Sequence, residues 1–227
     1  MKHLDFTIDF ETCSLSSDAA IMQVAVVPWL RDADVEPFMS KADAEPFVNY
    51  VDLRSCVVEG MDFDPNTITW WSRQSDEAKR AVCEGLAEPV ADVLVGVLDF
   101  IRSMVKKHSL DSICLWAHGM DVDVAILRSL CRRFDIDLED IVPHTSFRDC
   151  RTLILEAALI EVERSMARKS TRANGIALPH QIQADPSLAY KVFDPLPSQY
   201  DGIQHDAIYD ATRSSWYTWQ ALKTLRK

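Results

Sequence analysis

Basic residues are scarce in this chain. Of 227 residues, 24 are Lys or Arg and 35 are Asp or Glu, which gives a formal net charge of −11 at neutral pH. A chain of this charge does not hold polyanions by bulk electrostatic attraction. Any contact with nucleic acid therefore has to be local and assisted by cations.

Three other sequence signals are missing: a zinc-ribbon cysteine pair, a membrane-spanning segment and a signal peptide. The six cysteines include no C-x-x-C pair, which argues against a zinc ribbon. The apolar stretch AIMQVAVVPWL is too short to span a bilayer and is interrupted by Gln23 and Pro28. No segment resembles a signal peptide. We therefore expect a cytoplasmic protein with reduced thiols and no membrane partner.

The apolar residues are sufficient for a sizeable core. They make up 48% of the chain, and 227 residues fit a single α/β domain, which we predict over 1–227. β-Branched and aromatic residues predict strands at Leu4–Phe10 and Ile21–Trp29, and the small polar residues between them predict a hairpin. A third strand is predicted within PFVNYVDL, residues 46–53.

Helical periodicity dominates the rest of the chain. Apolar residues recur at helical spacing in four segments, and SICLWA, residues 112–117, has the compact apolar character of a central strand. The predicted helices are 90–105, 122–134, 152–166 and 208–222. The stretch from Ala167 to Asp201 contains four prolines and predicts a long loop. The pattern indicates an α/β fold, a mixed central sheet flanked by helices.

The stretch TIDFETCSL places two carboxylates in a β-prone segment. Asp9 and Glu11 are two residues apart, so on a strand they point to the same face. Their repulsion and desolvation are costly unless a cation shares the site. The pair therefore indicates a metal site, and the alternative is an edge strand with one face in water.

Further acids follow apolar elements later in the chain. Asp121 and Asp123 come just after the predicted strand, and Asp210 lies in the final helix among small residues. Asp121 suits the N-cap of the next helix. Asp123 falls in the first turn beside core-facing residues, and a buried Asp210 requires a partner.

His205 precedes Asp210 by five residues. On a continuous helix the two side chains would point about 140° apart, so His205 is expected in the loop or first turn. A free imidazole has a pKa of about 6.5, which suits removal of a proton from a metal-bound water. The alternative is an ordinary surface histidine.

Five ordered motifs resemble one family, the DEDDh 3′-to-5′ exonucleases of the RNase H-like superfamily. The resemblance is closest to the branch of the bacteriophage T4 exonuclease A and mycobacterial exoribonuclease-like proteins. The motifs are TIDFETCSL, TITWWSRQSDEAKRA, GMDVDVAIL, FRDCRTL and HDAIYDA, and they span nearly the whole chain. The spacing from Gly119 identifies Asp123 as the middle acid, with Asp121 as the alternative.

The resemblance implies an RNase H-like fold and a metal-dependent exonuclease. Asp9, Glu11 and Asp210 would hold one Mg²⁺ or Mn²⁺, with Asp9 bridging to a second ion held by Asp123, and His205 would be the general base. The substrate would be the 3′ end of single-stranded DNA or RNA, with a slight preference for DNA, and the product a nucleoside 5′-monophosphate. An exoribonuclease or short-oligonucleotide scavenger is the alternative, and homodimers occur among relatives.

Four further positions are candidates for substrate binding. Glu11 would hold the terminal 3′-hydroxyl, and Trp70 and Trp71 would either stack on bases or belong to the core. Arg148 would contact phosphate or a site carboxylate, or else pair with Asp149. A basic cluster would contact the strand's backbone or form a solvated helix end. Its members are Arg164, Arg168, Lys169 and Arg172.

Two other classes of protein compete with an active nuclease. A catalytically inactive nucleic-acid-binding module would share the fold, but a decayed site should have lost at least one acid or the histidine. A glycosidase also uses two carboxylates, but it does not need the H-x4-D element.

Overall fold

The computed structural model describes residues 4–40, 43–168 and 177–226, and its centre is a six-stranded sheet. The strands are β1 (Leu4–Thr12), β2 (Ile21–Leu30), β3 (Phe47–Val51), β4 (Ala87–Glu88), β5 (Cys114–Ala117) and β6 (Phe147–Asp149). Their order is β4-β3-β2-β1-β5-β6. β2 pairs antiparallel with β1 and β3, and β5 pairs parallel with β1 and β6. The predicted mixed sheet and its hairpin are confirmed.

Helices cover both faces of the sheet. They are α1 (Leu53–Val58), α2 (Pro65–Ser72), α3 (Asp76–Ala81), α4 (Val90–His108), α5 (Asp123–Arg133), α6 (Cys150–Ala167), α7 (Pro179–Ala184) and α8 (Ala207–Leu225). α4, α5, α6 and α8 confirm the four predicted helices. Among the described residues, no helix has both the length and the apolar character needed to cross a bilayer.

The two faces of β1 belong to different cores. Phe6 and Ile8 are fully buried in the core that includes α4 and α5. Thr7 points to the opposite face, where its hydroxyl accepts hydrogen bonds from Trp29 Nε1 at 3.0 Å and from the α8 residue Ser215 at 2.9 Å. Because strand residues alternate, the odd-numbered residues of β1 face α8.

The predicted loop from Ala167 to Asp201 is wrong for most of its described part. Residues 179–184 form α7, and 3₁₀ helices follow at Pro186–Val192 and Ser198–Tyr200. Pro179 and Pro186 each lie in the first turn of a helical segment, where a missing N–H and a fixed φ are tolerated. Ile182, Ala189 and Val192 are buried in the core that contains α6 and α8.

The helices α1, α2 and α3 were not predicted as helices. They have only six to eight residues each, which is too short for a clear apolar period. Each begins at a side-chain cap, formed by Asp52, Asp64 and Ser75 respectively, which accepts a hydrogen bond from a first-turn N–H.

Candidate active site

The end of β1 brings two carboxylates to one side of the sheet. Asp9 and Glu11 share the face that looks toward α8, as their spacing predicted. Glu11 is buried and lies opposite Gln23 of β2 in the strand register. An oxygen of Glu11, a ring nitrogen of His205 and an oxygen of Asp210 lie within 4.8 Å of one another.

Asp123 joins this group from the first turn of α5. It is buried, and its Oδ1 accepts a hydrogen bond from the backbone N–H of Phe10 at 3.2 Å. Phe10 lies between Asp9 and Glu11 in sequence, so this bond holds Asp123 against the part of β1 that carries both acids. Asp121 is exposed, and the N-cap residue of α5 is Val122, which forms no side-chain cap, so the capping role predicted for Asp121 is wrong.

The H-x4-D element approaches from the start of α8. His205 precedes the helix with a left-handed φ of 68°, which confirms its predicted position outside the helix. Its backbone N–H donates to Oδ2 of Asp210 at 2.9 Å. The side chain of Asp206 caps α8 by accepting from the N–H of Ile208.

The acids perturb one another. Burial, followed by the charges of Asp123, Glu11 and Asp210, raises the pKa of Asp9 well above its usual range. Burial and then Asp210 raise the pKa of Glu11 to about 8. Burial raises the pKa of Asp123 to about 7, although the Phe10 N–H bond opposes this rise. The charges of Asp123 and Asp210 act on both Asp9 and Glu11, as expected for carboxylates that lie close together.

The donor set fits a hard divalent cation. Carboxylate oxygens are the ligands preferred by Mg²⁺ and Mn²⁺. A cation would also relieve the repulsion that raises the pKa values of Asp9 and Glu11. The four acids are therefore chemically suited to hold the metal expected from the sequence.

Gln23 is a functional candidate that the sequence reasoning missed. Its side chain is fully buried on β2 and bonds the start of α8 twice. Its Oε1 accepts from the N–H of Ala207 at 2.9 Å, and its Nε2 donates to Oδ1 of Asp206 at 2.9 Å. A polar residue within the apolar run IMQVAVV was the available signal.

The two adjacent tryptophans have different environments. Trp71 is buried and donates from Nε1 to the carbonyl of Thr12 at 2.8 Å, so it belongs to the core. Trp70 is 42% exposed, and its ring centroid lies 4.8 Å from that of His205 in an edge-on contact. Both line a cavity of about 480 Å³ that also includes Glu11.

Arg148 makes neither of the two predicted carboxylate contacts, and its contact with phosphate stays a prediction. Its guanidinium donates to the carbonyls of Thr145 and Phe147 in its own turn, not to a site carboxylate or to Asp149. Asp149 instead accepts from the N–H of Thr152 at 2.7 Å and from that of Met120 at 3.1 Å. It therefore caps α6 and ties it to the loop before Asp123.

Arg164 and Arg168 of the predicted basic cluster lie away from the acids. Arg164 donates to the carbonyl of Thr224 at 2.8 Å, near the C-terminal ends of α6 and α8. At about 1.5 Å per helical residue, it lies roughly 20 Å along α6 from Cys150, whereas Asp210 lies in the first turn of α8. Of the cluster, Lys169 and Arg172 lie outside the described residues.

The sequence profile of the 3′-5′ exoribonuclease Rv2179c-like domain matches residues 4–222. The chain belongs to this family. The matched range contains all four acids and His205. The family resemblance stated from the motifs is thereby confirmed.

One relative of this Rv2179c-like domain is a phage exodeoxyribonuclease. The exodeoxyribonuclease of Enterobacteria phage T4 is 28% identical over 130 residues, or 56% of this chain and 56% of that protein. The chain thus spans little more than half the length of that relative.

Two solved structures share the fold. E. coli exonuclease I in complex with single-stranded DNA has a TM-score of 0.54 and 14% identity, covering 100% of this chain and 41% of that chain. The nuclease domain of 3′hExo, a DEDDh family member bound to rAMP, has a TM-score of 0.53 and 16% identity. The match covers 98% of this chain and 92% of that chain. These likenesses confirm the predicted α/β fold of the Rv2179c-like domain.

Proposed function

We propose that the chain is a single exonuclease domain that hydrolyses phosphodiester bonds from the 3′ end of single-stranded nucleic acid. The product is a nucleoside 5′-monophosphate. The observation that carries this proposal is the convergence of Asp9, Glu11, Asp123 and Asp210 beside His205, in a chain matched over 4–222 by an exoribonuclease family.

The acids and the histidine divide the work. Asp9, Glu11, Asp123 and Asp210 would hold two Mg²⁺ or Mn²⁺ ions, which supply Lewis-acid stabilisation and an acidified water. His205 acts as the general base, because its ring nitrogen lies within 4.8 Å of ligand oxygens of Glu11 and Asp210.

The cavity beside Trp70 receives the terminal nucleoside. Its walls combine an exposed indole with the Glu11 carboxylate, so a base stacks on Trp70 while the 3′-hydroxyl donates to Glu11. The acidic chain grips only the last few nucleotides, and its action is distributive.

The family and the phage relative are named after different polymers, RNA and DNA. The family is described as an exoribonuclease, and the phage relative as an exodeoxyribonuclease. We propose single-stranded DNA as the faster substrate, with RNA as the alternative. A homodimer and a cytoplasmic location stay predictions.

The test is a time course on 5′-labelled single-stranded DNA and RNA of matched sequence, with Mg²⁺, Mn²⁺ or excess chelator. We expect a ladder that shortens from the 3′ end only with metal, and the faster polymer decides the preference. Asp123→Asn should abolish cleavage, whereas the exposed control Asp121→Asn should stay within about twofold of the parent. Tight binding without cleavage by the unaltered protein would instead indicate a binding module.

A further inference from the structure

A second pocket lies on the side of the acids away from Trp70. It has a volume of about 190 Å³ and is lined by polar residues from three segments together with apolar residues of α6. The polar members are His118, Arg151, Ser187 and Tyr190. The proposed function assigns no role to this pocket.

The sheet register places the pocket beside the acids. Ala117 of β5 pairs with Ile8 of β1 and with Asp149 of β6. Asp9, His118 and Cys150 are the next residues, so they lie along one edge of three parallel strands. Trp71 bonds Thr12 and Gln23 bonds the start of α8, which places the tryptophan cavity toward the other neighbour, β2.

Arg151 has no ionic partner among the described residues. Its guanidinium reaches over Gly119, since a Cβ atom at that position would lie 2.8 Å from Nη2. The carboxylate of Asp121 also lies near Gly119 but forms no ion pair with Arg151. The Arg151 charge does act on the acids, because it lowers the pKa of Asp123 against the larger effect of burial.

A second guanidinium reinforces the positive charge. Arg213 lies 4.9 Å above the ring of Tyr190, whose hydroxyl is 3.2 Å from Nε2 of His118. Burial, then Arg151 and Arg213, lower the pKa of His118 to about 4. Two guanidinium groups therefore act on this corner of a chain of net charge −11, against the smaller opposing effect of Asp149.

We propose that the pocket between His118, Arg151 and Tyr190 binds the phosphodiester on the 5′ side of the scissile linkage. The inference rests on the proposed function. With the terminal nucleoside in the Trp70 cavity and the scissile phosphate at the acids, the strand continues across β1 toward β5 and β6. The spacing from β1 to β6 is about 10 Å, which a strand and the long Arg151 side chain can bridge. Arg151 supplies the charge and Tyr190 a hydroxyl donor.

The test removes the negative charge from the phosphodiester and, separately, the positive charge from residue 151. The substrates are a 5′-labelled oligodeoxynucleotide and the same strand with an uncharged methylphosphonate at the linkage next to the terminal one. The variants are Arg151→Gln and the control Arg54→Gln, whose parent arginine is exposed on α1. Both kcat/KM and affinity in Ca²⁺, by fluorescence anisotropy, are measured.

We expect the parent protein and Arg54→Gln to prefer the charged strand by about tenfold, the effect of one charge-assisted hydrogen bond. Arg151→Gln should lose that preference. If Arg151→Gln weakens both strands equally, or retains the preference, the subsite is overturned.

Two arms separate this inference from the proposed function. Hydrolysis of thymidine 5′-monophosphate p-nitrophenyl ester, which lacks a second phosphate, reports on the acids alone. A loss on the ester as large as on the oligonucleotide would mean that Arg151 acts through Asp123, and would overturn the subsite. If the parent cleaves nothing, the proposed function fails, and the binding arm still decides whether Arg151 recognises the phosphate.

Discussion

His205 is tied to Asp210 through its main chain, because its backbone N–H donates to Oδ2 of Asp210 at 2.9 Å. The imidazole takes no part in that bond. Replacing the ring therefore leaves the anchor in place, and the contribution of the imidazole to chemistry becomes separable from its contribution to structure.

His205→Asn should lower kcat by about 10²- to 10⁴-fold, the usual contribution of a general base. Asn tolerates the left-handed φ of 68° better than Ala does, so folding should be unaffected. Activity and thermal unfolding are measured together, and the exposed surface residue His144 provides the control variant His144→Asn. Full activity of His205→Asn would exclude the ring as the base.

The metal-free protein should lose stability as the pH rises. Glu11 and Asp123 have folded-state pKa values of about 8 and about 7, above the ordinary values of unfolded carboxyls. Between about pH 4 and pH 8 the folded state therefore binds more protons than the unfolded state, and the free energy of unfolding falls. Thermal unfolding in chelator should show this slope.

Divalent metal should reverse that trend. Mg²⁺ or Mn²⁺ binds the ionised carboxylates, so the rise in Tm on adding metal should be larger at pH 8 than at pH 5. Asp9→Asn should weaken the metal effect and raise the stability of the metal-free protein. A pH-independent metal effect would contradict a carboxylate site.

Gln23→Leu should lower both stability and turnover. It leaves the N–H of Ala207 and the carboxylate of Asp206 without their partner, which costs about 1–3 kcal/mol for a buried group. The start of α8, with His205 and Asp210, loses its tie to β2. Chemical denaturation and kcat measure the two effects, and the exposed Gln199→Leu is the control. Unchanged turnover would show that Gln23 is structural only.

The two tryptophans should separate binding from folding. Trp70→Ala should raise KM because it removes an exposed stacking surface worth about 1–3 kcal/mol, with little change in stability. Trp71→Ala should lower the free energy of unfolding by about 3–5 kcal/mol, because it empties a buried site and removes the bond to Thr12. Equal effects on KM and unfolding would contradict this division.

Local spacing was sufficient to predict part of the site. Asp9 and Glu11 share a face because strands alternate with a period of two, and His205 lies outside α8 because five residues do not fit one helical face. Gln23 and Arg151 were not predictable, since the partners of Gln23 lie 183 and 184 residues away and Gly119 lies in another segment from Arg151.

The prolines of residues 167–201 predict a loop, whereas the described part is mostly helical. Prolines such as Pro179 and Pro186 indicate a loop, but each begins a helical segment, and the burial of Ile182 in the core with α6 is a tertiary effect that local sequence does not reveal. The FRDCRTL motif indicates Arg148 as a candidate and gives no signal for Arg151. At the start of α6 the Arg148 side chain turns back to carbonyls of its own turn, whereas the Arg151 side chain reaches Gly119.

The hydrogen bond from Phe10 N–H to Asp123 joins residues 113 positions apart, and the bond from Ala207 to Gln23 joins residues 184 apart. Closing loops of this length is an entropically costly, late event in folding. A chain emerging from the ribosome therefore carries scattered, harmless carboxylates until α8 docks on β2. Nuclease activity would then report completion of the fold, and partly synthesised chains would pose no threat to nearby nucleic acid.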